Sequence, residues 1–362
     1  MMNLIKNSFS VLAAALILNA CGNDFRKAKE LYRQSQTLPL QTAGTLTDPL
    51  GEAIRILETY LARNPDAPAA TLLLWRCYLQ AGHPRATAMC ENIRRMPAQM
   101  RRIFPKEIRR ESDENRREQM VYLFGEIAAP ADAGALIKIL EQDGSTNVQG
   151  AAADILARLN AAEAIPPLMR KLPTAPAAVR LYACRALSSF PRPEVTTALV
   201  ARLIDRREAP EVRQQAAQSL AQICRQEFNG RETLLQQLER LLQDETGQLV
   251  TRLLVASTLA TLGQSAGYDL AMAGATSADP FMRGVAIITL GYIGDHHALP
   301  HLTEALEYGN KALRLQAAEA LGRLSNARAL PGLYKALDDP CEAVRAAANQ
   351  SIAKIKARGK NG

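Results

Sequence analysis

Apolar positions recur at helical spacing along most of this chain. Ala53, Leu57 and Leu61 fall four residues apart, and Asn64-Pro65-Asp66 then stops the run. The next apolar stretch, Ala69 to Ala81, ends at Gly82, a residue suited to closing a helix. Arg85 to Arg95 restarts a helix after Pro84, which fits a first turn. Phe25 to Gln36 reads as another helix, and residues 37 to 48 read as a loop. Beyond residue 115 the pattern becomes periodic. The frame of Leu313-Arg314-Leu315-Gln316-Ala317-Ala318-Glu319-Ala320-Leu321-Gly322 returns around Arg345, Arg283, Arg252, Arg213, Arg180 and Arg117, with Gln149 once in the Arg position. The interval is 31 to 33 residues except between Arg213 and Arg252, where it is 39. That excess places an insertion around residues 225–232, with Asn229-Gly230 at a turn.

Each frame predicts one helix with small residues on one side and large aliphatics on the other, as in Ala317, Ala318, Leu321 and Leu324. A second helix follows with proline in its first turn, as in Ala298-Leu299-Pro300-His301-Leu302 and Ala329-Leu330-Pro331-Gly332-Leu333. Proline is tolerated there because first-turn amides have no intrahelical partner. No single helix pair can bury its own apolar face, so the expected fold is all-α, an α-α superhelical solenoid of stacked pairs. The run resembles HEAT-like repeats of the kind first grouped with phycobilisome (bilin) lyases, over residues 115–360 in roughly eight copies. The resemblance implies that the frame arginine pairs with an Asp preceding the first helix of a repeat. Asp279 and Asp339 match that position, before Pro280 and Pro340. Arg117, Arg180, Arg213, Arg252, Arg283, Arg314 and Arg345 then form a structural ladder, interrupted at Gln149. In such arrays the second helices line the binding surface. This makes Lys138, Arg170, Lys171, Arg202, Arg240, Glu304 and Lys335 candidate partner contacts, and their basic excess favours a partner with acidic segments.

Residues 21–96 resemble tetratricopeptide repeats. Ala53, Leu57, Leu61 and Pro65 match the end of one repeat, and Leu74, Tyr78, Gly82 and Ala86 the middle of the next, with Thr71 at the signature Trp position. Between Arg94 and Glu118 lie nine basic and five acidic residues, so 97–114 is expected to be a basic, solvated linking helix.

At the N-terminus, Lys6 is the only charge before Asp24, and Val11 to Leu18 is apolar but too short to span a bilayer. This is the organisation of a secretory signal peptide, residues 1–20. Leu18-Asn19-Ala20-Cys21 resembles the bacterial lipobox, which implies acylation of Cys21 and a membrane-anchored envelope lipoprotein. Gly22 in place of Asp implies the outer membrane, facing the periplasm, in a Gram-negative cell.

Composition narrows the reading further. Of 362 residues 48% are apolar but only 5% aromatic, which suits closely packed helices and excludes wholesale disorder. The formal charge of +8 by itself permits nucleic acid or an anionic membrane, and the expected compartment argues against nucleic acid. Cys77 and Cys90 flank the Gly82-His83-Pro84 break at similar distance, so a helical hairpin in an oxidising compartment makes them a candidate disulfide. Cys184, Cys224 and Cys341 read as buried thiols. His297, His301 and Glu304 are the one conceivable metal set, without an HExxH pattern. Deoxyhypusine hydroxylases resemble the fold but hold iron through His-Glu dyads, and this sequence has no His-Glu dipeptide. Bilin lyases act in the cytoplasm. No GxSxG, phosphate loop or nucleophile–base set is present, so no catalytic residue, metal or cofactor is expected. The expectation is a non-catalytic, lipid-anchored envelope scaffold that binds a protein partner. Its rivals are an envelope enzyme on His297, His301 and Glu304, and a passive spacer.

Overall fold

The computed structural model describes residues 23–36 and 48–358. Residues 1–20, expected to be a signal peptide, Cys21 and most of the expected 37–48 loop lie outside the described residues. The chain divides into two units, Met1–Ile155 and Leu156–Gly362. Among the described residues all regular structure is helical.

The first unit contains α1 (23–36), α2 (Pro49–Arg63), α3 (Pro68–Gln80), α4 (Arg85–Arg94), α5 (Pro97–Ile108), α6 (Glu114–Ile127), α7 (Ala133–Gln142) and most of α8 (Thr146–Arg158). Asp48 caps α2 by accepting from the Leu50 amide, with Pro49 in the first turn. Ala53 and Leu57 of α2 meet Ala70, Leu73, Leu74 and Cys77 of α3, and Ala28 and Tyr32 of α1 close the same core. The 97–114 segment differs from the solvated linker expected of it. Met100, Phe104 and Ile108 lie four residues apart on α5 and are fully buried, and the Phe104 ring stacks on Phe124 of α6 at 5.7 Å. Burial of such a side chain contributes about 1.5–3 kcal/mol, which outweighs the charge of the segment. The arginines face the other way along the same helix.

The second unit alternates two kinds of helix. One kind precedes each Arg-bearing helix and is called proline-type after the first-turn proline of four of its six members: α9 (Ile165–Lys171), α11 (Pro193–Ile204), α13 (Arg231–Gln243, which lacks the proline), α15 (Tyr268–Ala275, also without it), α17 (Leu299–Tyr308) and α19 (Leu330–Lys335). The other carries the frame arginine: α10 (Ala177–Leu187), α12 (Pro210–Cys224), α14 (Leu249–Ala260), α16 (Pro280–Ile293), α18 (Lys311–Leu324) and α20 (Glu342–Arg358). Each Arg-bearing helix packs against the helix that precedes it in the chain and against the next Arg-bearing helix along the stack. The repeat therefore begins with the proline-type helix, and the Arg-bearing helix is the second of its pair. This reverses the order expected from sequence, and the reason is packing. The small residues lie on the Arg-bearing helices, so those helices form the tight row. An added Cβ at Gly291 would sit 2.7 Å from the Ala320 Cα. The proline-type helices make only sparse contacts with one another. A stack that is close along one row and loose along the other has the close row inside.

Candidate functional site

Every frame arginine does the same thing locally: it closes the turn leading into its own helix. Arg314 Nη1 donates to the Gly309 carbonyl at 3.1 Å, Arg283 to Ser277 at 2.6 and 2.9 Å, and Arg345 to Asp339 at 2.7 Å. Arg117 reaches the Glu111 and Ser112 carbonyls, and Arg180 that of Ala175. Arg213 and Arg252 reach Leu203 and Leu242, in the last turns of α11 and α13, whose carbonyls lack intrahelical partners. Gln149 fills the role by donating to the Asp143 carbonyl at 2.6 Å.

The carboxylate ladder is sparser than the resemblance implies. Arg117 bonds Asp143, Arg180 bonds Glu208 and Arg314 bonds Asp339, each through two nitrogens to the carboxylate that precedes the next helix of the same frame, α8 with Gln149 in the first case. Asp279 is not a rung. Its side chain caps α16 at the Phe281 amide, while Arg252 reaches a carbonyl instead. Arg213 bonds the Thr251 hydroxyl. Glu208 was not legible as a rung because the sequence pattern sought Asp before Pro, whereas Glu208 is followed by Ala209-Pro210.

Hydrogen bonds from Arg314 hold the Asp339 carboxyl below the usual range. A carboxyl depressed in the folded state stabilises above its unfolded pKa and loses that contribution as pH falls through the folded value. Asp339→Asn is therefore expected to lower stability by about 1 kcal/mol near pH 7, with the difference vanishing by about pH 2. Urea unfolding at both pH values checks this, and an unchanged gap would remove the rung from the stability of the unit.

A second ladder was missed altogether. Ser219, Thr258 and Ser351 each stand six residues after a frame arginine and are buried. Their hydroxyls donate to carbonyls of the preceding Arg-bearing helix: Cys184 at 2.9 Å, Ala217 at 3.2 Å and Ala318 at 2.8 Å. A buried hydroxyl in a repeated frame was the available signal, because it requires a partner.

The candidate partner contacts all lie on proline-type helices or their equivalents. Lys138 is on α7, Arg170 and Lys171 on α9, Arg202 on α11, Arg240 on α13, Glu304 on α17 and Lys335 on α19. Those of the second unit thus sit on its loose row. Arg202 is held by Asp205 and Glu208, and Lys335 by Glu307 at 2.6 Å. The structure does not gather them into one inner surface.

Cys77 and Cys90 are both free, so the candidate disulfide is not formed. Cys77 points into the α1–α2–α3 core, where burial pushes its thiol up to about 12, while Cys90 is bonded to the Ala86 carbonyl of its own helix. Burial likewise pushes Cys184 to about 12 and Cys224 to about 11. Cys341 is only half-buried, and the Val344 and Ala343 amides of the first turn of α20 lower its pKa. His297 pairs with Asp295 at 2.7 Å and His296 contacts Asn326 at 3.3 Å, and they do not converge with His301 and Glu304. Among the described residues no three His, Cys, Asp or Glu side chains form a metal-binding group, and no helix is long and apolar enough to cross a membrane.

Stacked helix pairs with a frame arginine in each second helix define an α-helical repeat protein. HEAT repeats are recognised over residues 132–209, 172–257 and 305–360, which together cover half of the chain, and a PBS lyase HEAT-like repeat over 282–308. The chain belongs to the HEAT-repeat family. No curated protein matches it in sequence. Among solved structures it is similar to human deoxyhypusine hydroxylase in complex with glycerol (21% identity, TM-score 0.36, 76% of this chain and 99% of that one). It is also similar to the CpcE–CpcF complex of phycocyanin lyase from Nostoc (20%, 0.39, 67% and 91%). Yeast importin-β, Kap95p, is a third such structure (15%, 0.46), in which the chain covers 53% of the length and aligns over 95% of its own. A fold by itself does not choose an activity.

Proposed function

We propose that the protein is a non-catalytic scaffold of the bacterial cell envelope that holds a protein partner on its HEAT-repeat surface. One observation carries the reading: the frame residues that recur in every repeat are spent on closing turns and joining helices, which leaves the inner row as an extended surface free for binding. The anchor rests on Leu18-Asn19-Ala20-Cys21, with diacylated Cys21 as the mature N-terminus. The helices of residues 21–96 are read as a tetratricopeptide-like unit near the membrane, on the matches at Ala53, Leu57, Leu61, Tyr78 and Gly82.

Cys21→Ser is expected to abolish labelling by a palmitate analogue and to leave an unprocessed precursor, read on a gel. A processed, unlabelled product in both forms would remove the anchor. Crosslinking in the native envelope is expected to capture a discrete protein partner on the second unit, and recovery of the uncrosslinked chain alone would favour a passive spacer.

A further inference from the structure

A cleft of about 200 Å³ opens on the inner row of the second unit, between α12, α14 and α16. Gln214, Gln218 and Gln222 occupy three successive turns of α12 and line it together. Among the described residues their side chains engage in no hydrogen bond, unlike neighbouring Gln215, which bonds Ser219. Ala217 and Ala221 lie between them and keep the floor low. Arg225 is the one charged residue of the lining, which contains no carboxylate. One of its nitrogens, Nη2, bonds the Thr261 carbonyl at 3.2 Å, and the guanidinium is otherwise open. The ring of Tyr292 closes the opposite side, held by the Arg323 guanidinium 4.4 Å above it.

A primary amide offers a donor and an acceptor together, the complement of a peptide unit. Residues four apart on a helix are about 6.0 Å apart along its axis, and alternate residues of an extended chain about 6.6 Å, a mismatch that a glutamine side chain can absorb. A low alanine floor lets a backbone approach. Three uncharged amides are indifferent to the side chains of such a segment, so Arg225 sets the chemical preference, for a carboxylate. The absence of any lining carboxylate means nothing in the cleft repels that group.

We propose that this cleft binds an extended segment of a partner polypeptide, its backbone on the α12 glutamines and an Asp or Glu side chain on Arg225. The proposal rests on the scaffold reading above and gives it a site and a partner chemistry.

The test uses the full chain, immobilised, and two pools of short random peptides, one with a central Glu and the other with a central Lys. The Glu pool is expected to be retained over the Lys pool. Replacing Gln218 and Gln222 together by Ala should weaken the retained peptides about tenfold or more, since each amide contributes a backbone hydrogen bond. N-methylation of the central peptide amides should do the same. Arg225→Gln should erase the preference between pools. Gln218 and Gln222 are exposed, and an unchanged melting curve confirms that their variant folds. Unchanged affinity in the double variant, equal binding of N-methylated peptides, or equal retention of both pools would each overturn the proposal. An in-cell crosslinked partner unaffected by these variants would leave the scaffold standing without the cleft, whereas peptide binding without any in-cell partner would do the reverse.

Discussion

Arg76→Ala is expected to cost about 3–5 kcal/mol of the stability of the first unit, because it strands a buried carboxylate. The Glu111 side chain is 0% exposed and Arg76 only 7%. Arg76 donates to Glu111 through Nε at 2.9 Å and Nη2 at 2.6 Å, and its Nη1 reaches Glu107 at 3.1 Å. Glu111 also accepts from the Tyr32 hydroxyl at 3.3 Å, from Arg116 at 3.1 Å and from the Asp113 amide at 3.2 Å. The cluster thus ties α1, α3, α5 and α6 together. Burial pushes the Glu111 carboxyl up, but the charge and hydrogen bonds of Arg76 outweigh it and hold the carboxyl below its ordinary value. Burial also pushes the Tyr32 hydroxyl up to about 12.

The sign of the pH dependence follows from that depression. The stabilisation is present above the unfolded carboxyl pKa and is lost as pH falls through the folded one. The gap between wild type and Arg76→Ala should therefore narrow in acid. Replacing the pair jointly, as Arg76→Met with Glu111→Leu, should cost far less than Arg76→Ala, since the fully buried carboxylate is removed with its partner. Trp75, the single tryptophan, is buried beside Arg76 and reports unfolding of this unit by fluorescence. Equal losses for the single and the joint replacement would mean that packing, not the stranded charge, is responsible.

Gly291→Ala should destabilise the second unit by about 1–3 kcal/mol, although alanine is the better helix former by about 1 kcal/mol. The added Cβ would stand 2.6 Å from the Ala320 Cβ and 2.7 Å from its Cα, a backbone atom that moves only if α16 and α18 separate. Gly322 stands in the same relation to Ser351 on α20, with the Ser351 Cα 3.0 Å away. Gly134 on α7 is the control: an added Cβ there meets nothing within 4 Å, so Gly134→Ala should be neutral or stabilising by up to about 1 kcal/mol. Urea midpoints of the two variants check the contrast, and a neutral Gly291→Ala would mean that the row is looser than described.

The sequence carried most of the architecture. Helix limits at Arg63, Gln80 and Arg85 fall within a residue or two of those read from Asn64-Pro65, Gly82 and Pro84, since breakers act locally. The repeat frame was equally legible. What failed was phase: a periodic pattern has no marked beginning, so Arg-bearing and proline-type helices can be paired either way along the chain. The 97–114 segment failed for another reason. Its charges dominated the reading, while the Met100, Phe104 and Ile108 stripe was the stronger determinant. The candidate site was the least legible part. Lys138, Arg170, Lys171, Arg202, Arg240, Glu304 and Lys335 were chosen from helix order, and those of the second unit lie on its looser row.

By itself, then, the sequence determined helices, repeats and the HEAT-like class, because each depends on residues near in the chain. Tertiary structure alone decided which helices form the tight row, which carboxylates meet an arginine, that Cys77 is buried apart from Cys90, and that three glutamines share a cleft. Those depend on which helix faces which across intervals of some thirty residues, and no local pattern encodes a facing partner. Packing selects it, through small residues such as Gly291 that let two backbones approach and buried groups such as Glu111 that must be satisfied.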